Sequence, residues 1–399
     1  MKTLLFVDDE PKVLQGLQRQ LRPMRNEWEM QFLGAAQAAL DFMGANPVDV
    51  IVTDMMMPGM DGAQLLTEVS HRHPQVVRIV LSGHADRESI LRLVGPAHQY
   101  LSKPCDAEEL RTAITRAFAL RDLLGNERLK QLATRIKCLP SLPTLYTQLT
   151  EELQKEDPCM ERVAQIISRD IGMTTKILQL VNSAFFGLPQ PINSPRDAVI
   201  YLGVSTVRSL VLSLQVFSQF DKHKVNGFSI DALADHCWRT GVQASRLARL
   251  EHCDMKIVDQ CFLAGLLHDV GRLVLAVGLP EEYANVLHTV EAQHLPLWQV
   301  EHDQLGAAHA EVGAFLLGLW GLPNPIVEAV ALHHRPAQSA ERGFSPVIAV
   351  HVADAFMHEH PAGGPAEPGT QIDLDHLANL GLAGRLEDWR FECSQNNDS

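Results

Sequence analysis

The sequence predicts an α/β domain on a five-stranded parallel sheet, followed by an all-α domain. Three observations carry this. Through about residue 122, short β-branched runs alternate with amphipathic helical patterns. Four of those runs end directly on Asp, Ser or Lys, where open α/β sheets gather their chemistry. From Ile136 onward strand patterns vanish and apolar residues recur at helical spacing, punctuated by Pro and Gly.

In order, residues 3–7 form the first strand, and Asp8, Asp9 and Glu10 follow it directly. Pro11 opens a helix to about Arg22, a position Pro tolerates because its missing N–H has no partner there anyway. Residues 28–33 are the second strand and 35–43 the second helix. Residues 48–53 form an apolar third strand, buried on both faces, that ends on Asp54 before turns at Pro58-Gly59 and Asp61-Gly62. The fourth strand, 76–81, ends at Ser82-Gly83; the fifth, 99–101, ends at Ser102-Lys103-Pro104.

These ends belong to one sheet edge. Carboxylates from Asp8, Asp9 and Asp54 repel one another there, and a divalent, oxygen-loving cation such as Mg²⁺ relieves the repulsion. A metal, an ammonium and a hydroxyl around one exposed carboxylate suit transient phosphorylation of that carboxylate. Asp54 is then the nucleophile. Asp9 binds the metal directly, Asp8 through water, and the Met56 carbonyl completes the coordination, while Lys103 and Ser82 hold phosphoryl oxygens.

On those residues, 1–122 resembles the receiver domain of two-component response regulators, a flavodoxin-like fold. The acid pair matches Asp8-Asp9, the phosphoacceptor Asp54, the hydroxyl switch Ser82, the aromatic switch Tyr100 and the Lys-Pro pair Lys103-Pro104. The resemblance implies a sensor histidine kinase or phosphotransfer protein as donor and a cis Lys103–Pro104 bond. It also places Met56 and His84 beside the phosphate, where they set its lifetime.

Residues 106–135 carry one helical pattern through Leu110, Ile114, Ala117, Leu120, Leu124, Leu129 and Leu132, interrupted at Gly125-Asn126. It reads either as a stiff connector or as a surface helix followed by a flexible joint. The expected division is 1–122, a connector at 123–135, a helical domain at 136–357, and a linker and tail at 358–399.

The helical domain opens on a Leu139-Pro-Ser-Leu-Pro143 turn. Helices follow at 160–168 and 173–183, then a loop at 185–189, and two helical segments over 197–217 meet around Gly203. These features, with Asn182-Ser-Ala-Phe-Phe186 and Ala198-Val-Ile-Tyr-Leu-Gly203, resemble the N-terminal half of an HDOD (HD-related output) domain. Next come His236 on a helix to about Leu250, His268-Asp269 inside a helix, His309, His333-His334 and Asp354. His236, His268, Asp269 and Asp354 follow the ligand order of HD-superfamily metal phosphohydrolases, and N/O donors of this kind suit Fe, Mn or Zn. His309, His333 and His334 are expected nearby. Ala232 stands where multi-metal relatives place Glu, and Arg272 replaces the Lys of the H-D-x-G-K motif. No G-Y-P follows His334. His294, His302, His351, His358 and His360 read as surface or packing residues. A helix over 311–319 stops at Trp320-Gly-Leu-Pro323, a Pro/Gly linker spans 361–369, and short helices within 372–386 precede the tail.

The totals set outer bounds. The 399 residues carry a formal net charge of −14, with 46% hydrophobic and 21% charged residues, a globular composition without the basic footprint of broad nucleic-acid contact. Seven scattered cysteines without a C-x-x-C pair read as reduced thiols. Acidic residues arrive too early for a signal peptide, and His268, Asp269 and Arg272 interrupt the most apolar stretch. The expectation is a cytoplasmic response regulator, compatible with a homodimer, with no nucleic-acid or membrane partner. Asp54 phosphorylation controls an HDOD module that binds a protein or small ligand. The alternative is a phosphorylation-gated, metal-dependent phosphohydrolase acting on a nucleotide.

Overall fold

The computed structural model describes residues 2–82, 97–103, 105, 107–123, 126–136, 140–141, 143–155, 157–182, 188, 191–208, 218–219, 227–359 and 371–394. Five strands, β1 (Lys2–Val7), β2 (Trp28–Leu33), β3 (Val50–Asp54), β4 (Val77–Ser82) and β5 (Gln99–Ser102), form one sheet in the order β2-β1-β3-β4-β5. All its pairings are parallel.

Alternation along the strands assigns the two faces. Leu4, Phe6, Val50, Val52, Val77, Ile79 and Leu101 pack with the helices Pro11–Gln20 and Ala107–Leu123. Leu5, Val7, Ile51, Val80 and Tyr100 pack with Ala36–Ala45 and Gly62–Arg72. Both faces of the central strands are covered, so residues 4–7 of β1 and 50–52 of β3 are apolar and their acids follow at the ends. The edge strand β2, by contrast, carries Glu29 and Gln31, and β4 buries Arg78. The expected strands sit within two residues of those observed. The Lys103–Pro104 bond and His84 fall outside the described residues.

The helical half begins with Pro143–Gln154, Met160–Ser168, Ile171–Val181 and Pro195–Arg208, the last broken at Gly203, whose φ is 74°. One departure from the helical expectation is a two-residue parallel pairing of Pro140–Ser141 with Ser218–Gln219. Eight further helices, from Ile230–Leu250 to Pro346–Glu359, build the second layer, and Leu374–Asn379 and Leu386–Ser394 close the described chain. One stretch, Met255–Gly278, is long and apolar enough to cross a membrane; it is mostly buried against neighbouring helices.

The connector is two helices, Ala107–Leu123 and Glu127–Arg135. Asn126 caps the second, accepting from the Arg128 N–H at 2.9 Å and donating to the Leu305 carbonyl at 2.7 Å. Leu129 and Ala133 are wholly buried in the helical core, so this segment is neither a free joint nor a plain surface helix. The first connector helix docks too. Arg116 donates to the Leu322 carbonyl, and Gln99 of β5 donates to the Gly318 carbonyl at 3.3 Å. At the opposite end of the sheet, Arg78 and His98 both reach the Thr134 carbonyl, at 3.1 and 3.2 Å.

Candidate functional site

At the carboxyl edge of the sheet, the Lys103 ammonium bridges two carboxylates, 2.5 Å from Asp54 Oδ1 and 2.6 Å from Asp8 Oδ2. The other oxygens are held by backbone: Asp54 Oδ2 accepts from the Met56 N–H at 2.8 Å, and Asp8 Oδ1 from the Glu10 N–H at 2.9 Å. Burial works against the charge on Lys103, but hydrogen bonds to Asp54 and Asp8 hold it above its usual pKa. Asp8 and Asp54 are both buried, while Met56 is 70% exposed beside them. A Cβ on Gly62 would sit 2.1 Å from the Asp54 carbonyl oxygen, so the following helix approaches this closely only because residue 62 is Gly. Tyr100 is buried under the second sheet face; burial, opposed by Arg78, raises its hydroxyl pKa. Asp9 stands at the same β1 end, half-buried, and Ser82 ends β4 beside Ser102 of β5.

The second cluster is assembled by close helix approach. A Cβ on Gly265 would lie 2.7 Å from the Gly241 Cα, and one on Gly271 would lie 2.0 Å from the His309 carbonyl oxygen. The first contact joins the Met255–Leu267 helix to Ile230–Leu250, and the second joins Val270–Gly278 to His309–Leu319. His236 Nε2 lies 3.2 Å from His268 Nε2 and 3.1 Å from Asp354 Oδ1, and His268 Nε2 is 3.5 Å from the same oxygen. Asp269 Oδ1 is 3.7 Å from His268 Nε2, 3.1 Å from His309 Nε2 and 3.9 Å from His333 Nε2. His309 Nε2 in turn is 3.4 Å from His333 Nε2 and 2.9 Å from His334 Nε2.

The outer nitrogens fix the tautomers. Nδ1 of His268 lies 2.7 Å from the Gly265 carbonyl, and Nδ1 of His333 lies 2.8 Å from the Val330 carbonyl. His309 Nδ1 meets Glu301 Oε2 at 2.5 Å. An acceptor opposite Nδ1 places the proton there and leaves the Nε2 lone pair facing inward. Lone pairs and carboxylates that converge within 4 Å repel unless positive charge lies between them. Without a metal that charge is protons: burial opposes it, but Asp269 raises His268, and Glu301 and Asp269 push His309 up to about 10. His333, where burial wins, falls to about 3. Asp354 Oδ1 accepts no well-aligned hydrogen bond although imidazoles surround it. The donor set fits a cation of the Fe, Mn or Zn kind.

Residues 4–115 match the response regulator receiver domain family, and residues 139–336 match the HDOD domain family. The chain is a response regulator receiver domain joined to an HDOD domain. An uncharacterized protein of Treponema pallidum is 27% identical over 57% of this chain and 43% of its own length. The hydrogenase transcriptional regulatory protein HoxA of Cupriavidus necator is 33% identical over 38% of this chain and 30% of its own. The chain thus spans less than half of either relative. Among solved structures, the MmoQ response regulator of Methylococcus capsulatus shares the fold with a TM-score of 0.50, at 24% identity over 64% of this chain and 97% of that one.

Within the receiver, the structure brings Asp8, Asp54 and Lys103 into direct contact. Within the HDOD domain it gathers His236, His268, Asp269 and Asp354 with His309, His333 and His334. Two expectations need correction. His268 and Asp269 do not lie inside one helix. Helix Met255–Leu267 ends, Asp269 leaves helical geometry (φ −99°, ψ 11°), and Val270–Gly278 begins anew. That break lets both side chains face one space, where adjacent residues of an unbroken helix diverge by about 100°. His358 is not a surface or packing residue. Its Nε2 lies 3.2 Å from Asp354 Oδ1, and its ring is 5.0 Å from that of His236. Its position four residues after Asp354 on one helix, hence on the same face, is the signal that could have found it. Glu301 was also missed; it is wholly buried and receives both His309 Nδ1 and the Tyr283 hydroxyl. His351 does have a packing role, bridging the His333 carbonyl and the Asp373 N–H.

Proposed function

We propose that this chain is a phosphorelay response regulator in which Asp54 accepts a phosphoryl group and the HDOD domain is the output that binds a protein or small ligand. The observation that carries this reading is Lys103 bridging Asp54 and Asp8 at the carboxyl edge of the sheet. Asp54 attacks the phosphorus of a phosphohistidine donor; the P–O bond forms as the P–N bond breaks, and the imidazole leaves. Lys103 and Ser82 take the charge of the phosphoryl oxygens, and Tyr100 repacks as Ser82 turns toward them. Asp8, Asp9, Asp54 and the Met56 carbonyl are the residues that would hold Mg²⁺, whose role is to neutralise phosphoryl charge during transfer.

Supporting the output route is the docking of β5 and the Ala107–Leu123 helix on the far end of the His309–Leu319 helix, through Gln99 and Arg116. That helix is about 16 Å long and begins at His309 in the histidine cluster. The division we adopt is a receiver at 1–122, a connector at 123–135 and an output domain from 136 through the end of the Pro346–Glu359 helix, which carries His358. Incubation with acetyl phosphate should add one phosphoryl mass to the wild type and none to Asp54→Ala; equal labelling of both would sink the reading.

A second reading, a phosphorylation-gated phosphohydrolase, is favoured by the inward Nε2 atoms described above. His236, His268, Asp269, Asp354, His309, His333 and His334 would hold the metal, which would supply a Lewis acid for a phosphate ester. Arg272, tied to Asp269 Oδ2 at 2.9 Å, orients that carboxylate. Metal analysis of the purified chain decides: stoichiometric Fe, Mn or Zn lost in His268→Ala supports the enzyme, and none in either supports binding alone.

A further inference from the structure

A cavity of about 580 Å³ opens between the Met160–Ser168 helix, the start of Pro195–Arg208, and the Ile230–Leu250 and Met255–Leu267 helices. This volume lies within the range of small-ligand sites. Trp238 on one wall is two residues beyond His236, about 200° around their shared helix, so the cavity and the histidine cluster occupy opposite sides of it.

Its walls are chemically sorted. Trp238 and Phe262 meet edge to face, with centroids 5.4 Å apart at 85°, and present flat apolar surface. Arg169 holds its guanidinium 5.9 Å from the Trp238 ring centroid. Arg162 lines the same rim, and no ion pair among the described residues engages either arginine. A third arginine, Arg196, is paired with Glu161 at 3.0 Å. The remaining acid on the wall, Asp259, has its carboxyl pushed up by burial and by Asp197, which weakens its competition for the arginines. Asn193 is buried on the lining, and its Oδ1 accepts no hydrogen bond. A buried amide oxygen without a donor is costly, and a ligand N–H satisfies it.

We infer that this cavity binds a nucleotide, with the phosphate on Arg162 and Arg169, the base against Trp238 and Phe262, and an N–H of the base donated to Asn193 Oδ1. A bare anion uses only the arginines, and an apolar ligand leaves them and Asn193 unanswered; one molecule carrying charge, ring and donor uses all three. The inference deepens the reading of the HDOD domain as a ligand-binding output and rests on it. Arg162, Arg169 and Asn193 take no part in the phosphoacceptor or histidine sites.

The test titrates the full chain by calorimetry with AMP, GMP, CMP and UMP, with the free nucleosides and inorganic phosphate as separate arms. Saturable nucleotide binding, weakened on the order of tenfold or more in Arg162→Ala/Arg169→Ala and in Trp238→Ala, supports the site. Asn193→Leu should reduce the preference among bases rather than abolish binding. Both arginines are exposed, so their variants should keep the wild-type melting temperature, and Trp238→Phe guards against loss of fold. Absence of binding at millimolar nucleotide overturns the inference. So does phosphate binding as tightly as the nucleotides, or binding that survives the arginine change but disappears in His268→Ala. Acetyl phosphate labelling of Asp54 in the same preparation reports on the signalling reading separately.

Discussion

The side-chain amide of Gln99 donates to the Gly318 carbonyl across 3.3 Å, and this bond joins β5, beside Tyr100, to a helix whose first residue is His309. Arg116 repeats the connection one turn beyond that helix, at Leu322. Receiver and HDOD domain are therefore docked by side-chain bonds, which under the proposed function serve as a lever between them.

Breaking that lever should separate phosphorylation from its consequence. In Gln99→Ala/Arg116→Ala, Asp54 should still label with acetyl phosphate. The phosphodonor-dependent change in amide exchange over residues 309–319 should vanish, a coupling of about 1–3 kcal/mol. Persistence of that change in the double variant would place the route elsewhere.

Lys103 holds two carboxylates that otherwise repel. Lys103→Met should abolish labelling of Asp54 and destabilise the receiver by about 1–3 kcal/mol. Part of that stability should return with millimolar Mg²⁺, because a divalent cation replaces the missing charge. Denaturant melts with and without Mg²⁺ read this directly.

Gly271 lies against the backbone of His309 with no room for a methyl group. Gly271→Ala should cost about 1–3 kcal/mol through overpacking and force the His309–Leu319 helix away from Asp269. The expected readout is a lower melting temperature together with weaker Zn²⁺ binding. Gly384→Ala, with open space around the added atom, should lower neither.

His98 is buried where its Nδ1 accepts from the Arg78 N–H at 3.0 Å, and burial, then Arg78, lowers its pKa well below the usual value. The unfolded chain takes up a proton near pH 6.5 that the folded chain refuses. Stability is therefore full above about pH 6.5 and declines as pH falls below it. His351 and His333, also lowered, add to the same trend. Comparing the pH dependence of unfolding in wild type and His98→Gln cancels their share; the wild type should lose more on going from pH 7.5 to 5.5, by on the order of 1 kcal/mol.

The receiver half was legible because a parallel sheet buried on both faces writes its strands as apolar runs and leaves its chemistry at their ends. The sequence alone places Asp8, Asp54 and Lys103 at one edge, because each follows or ends an apolar strand run. The histidine cluster was legible only in part. Its quartet followed a known order, but the His268–Asp269 helix break has no Pro or Gly at the break itself to announce it; Gly271 stands two residues on. His358 reads in sequence as one more surface histidine; it shares a helix face with Asp354, and only the packing of a distant helix sets it beside His236.

Periodicity along the chain thus settled the two domain types, the order of their elements and which side chains end each strand, because those depend on neighbours a few residues away. Which histidines share a centre, where the receiver grips the output, and that Arg169 stands over Trp238 depended on helices from distant segments meeting at bare glycines and packed faces. Such meetings are decided by the fit of whole surfaces, which no local pattern encodes.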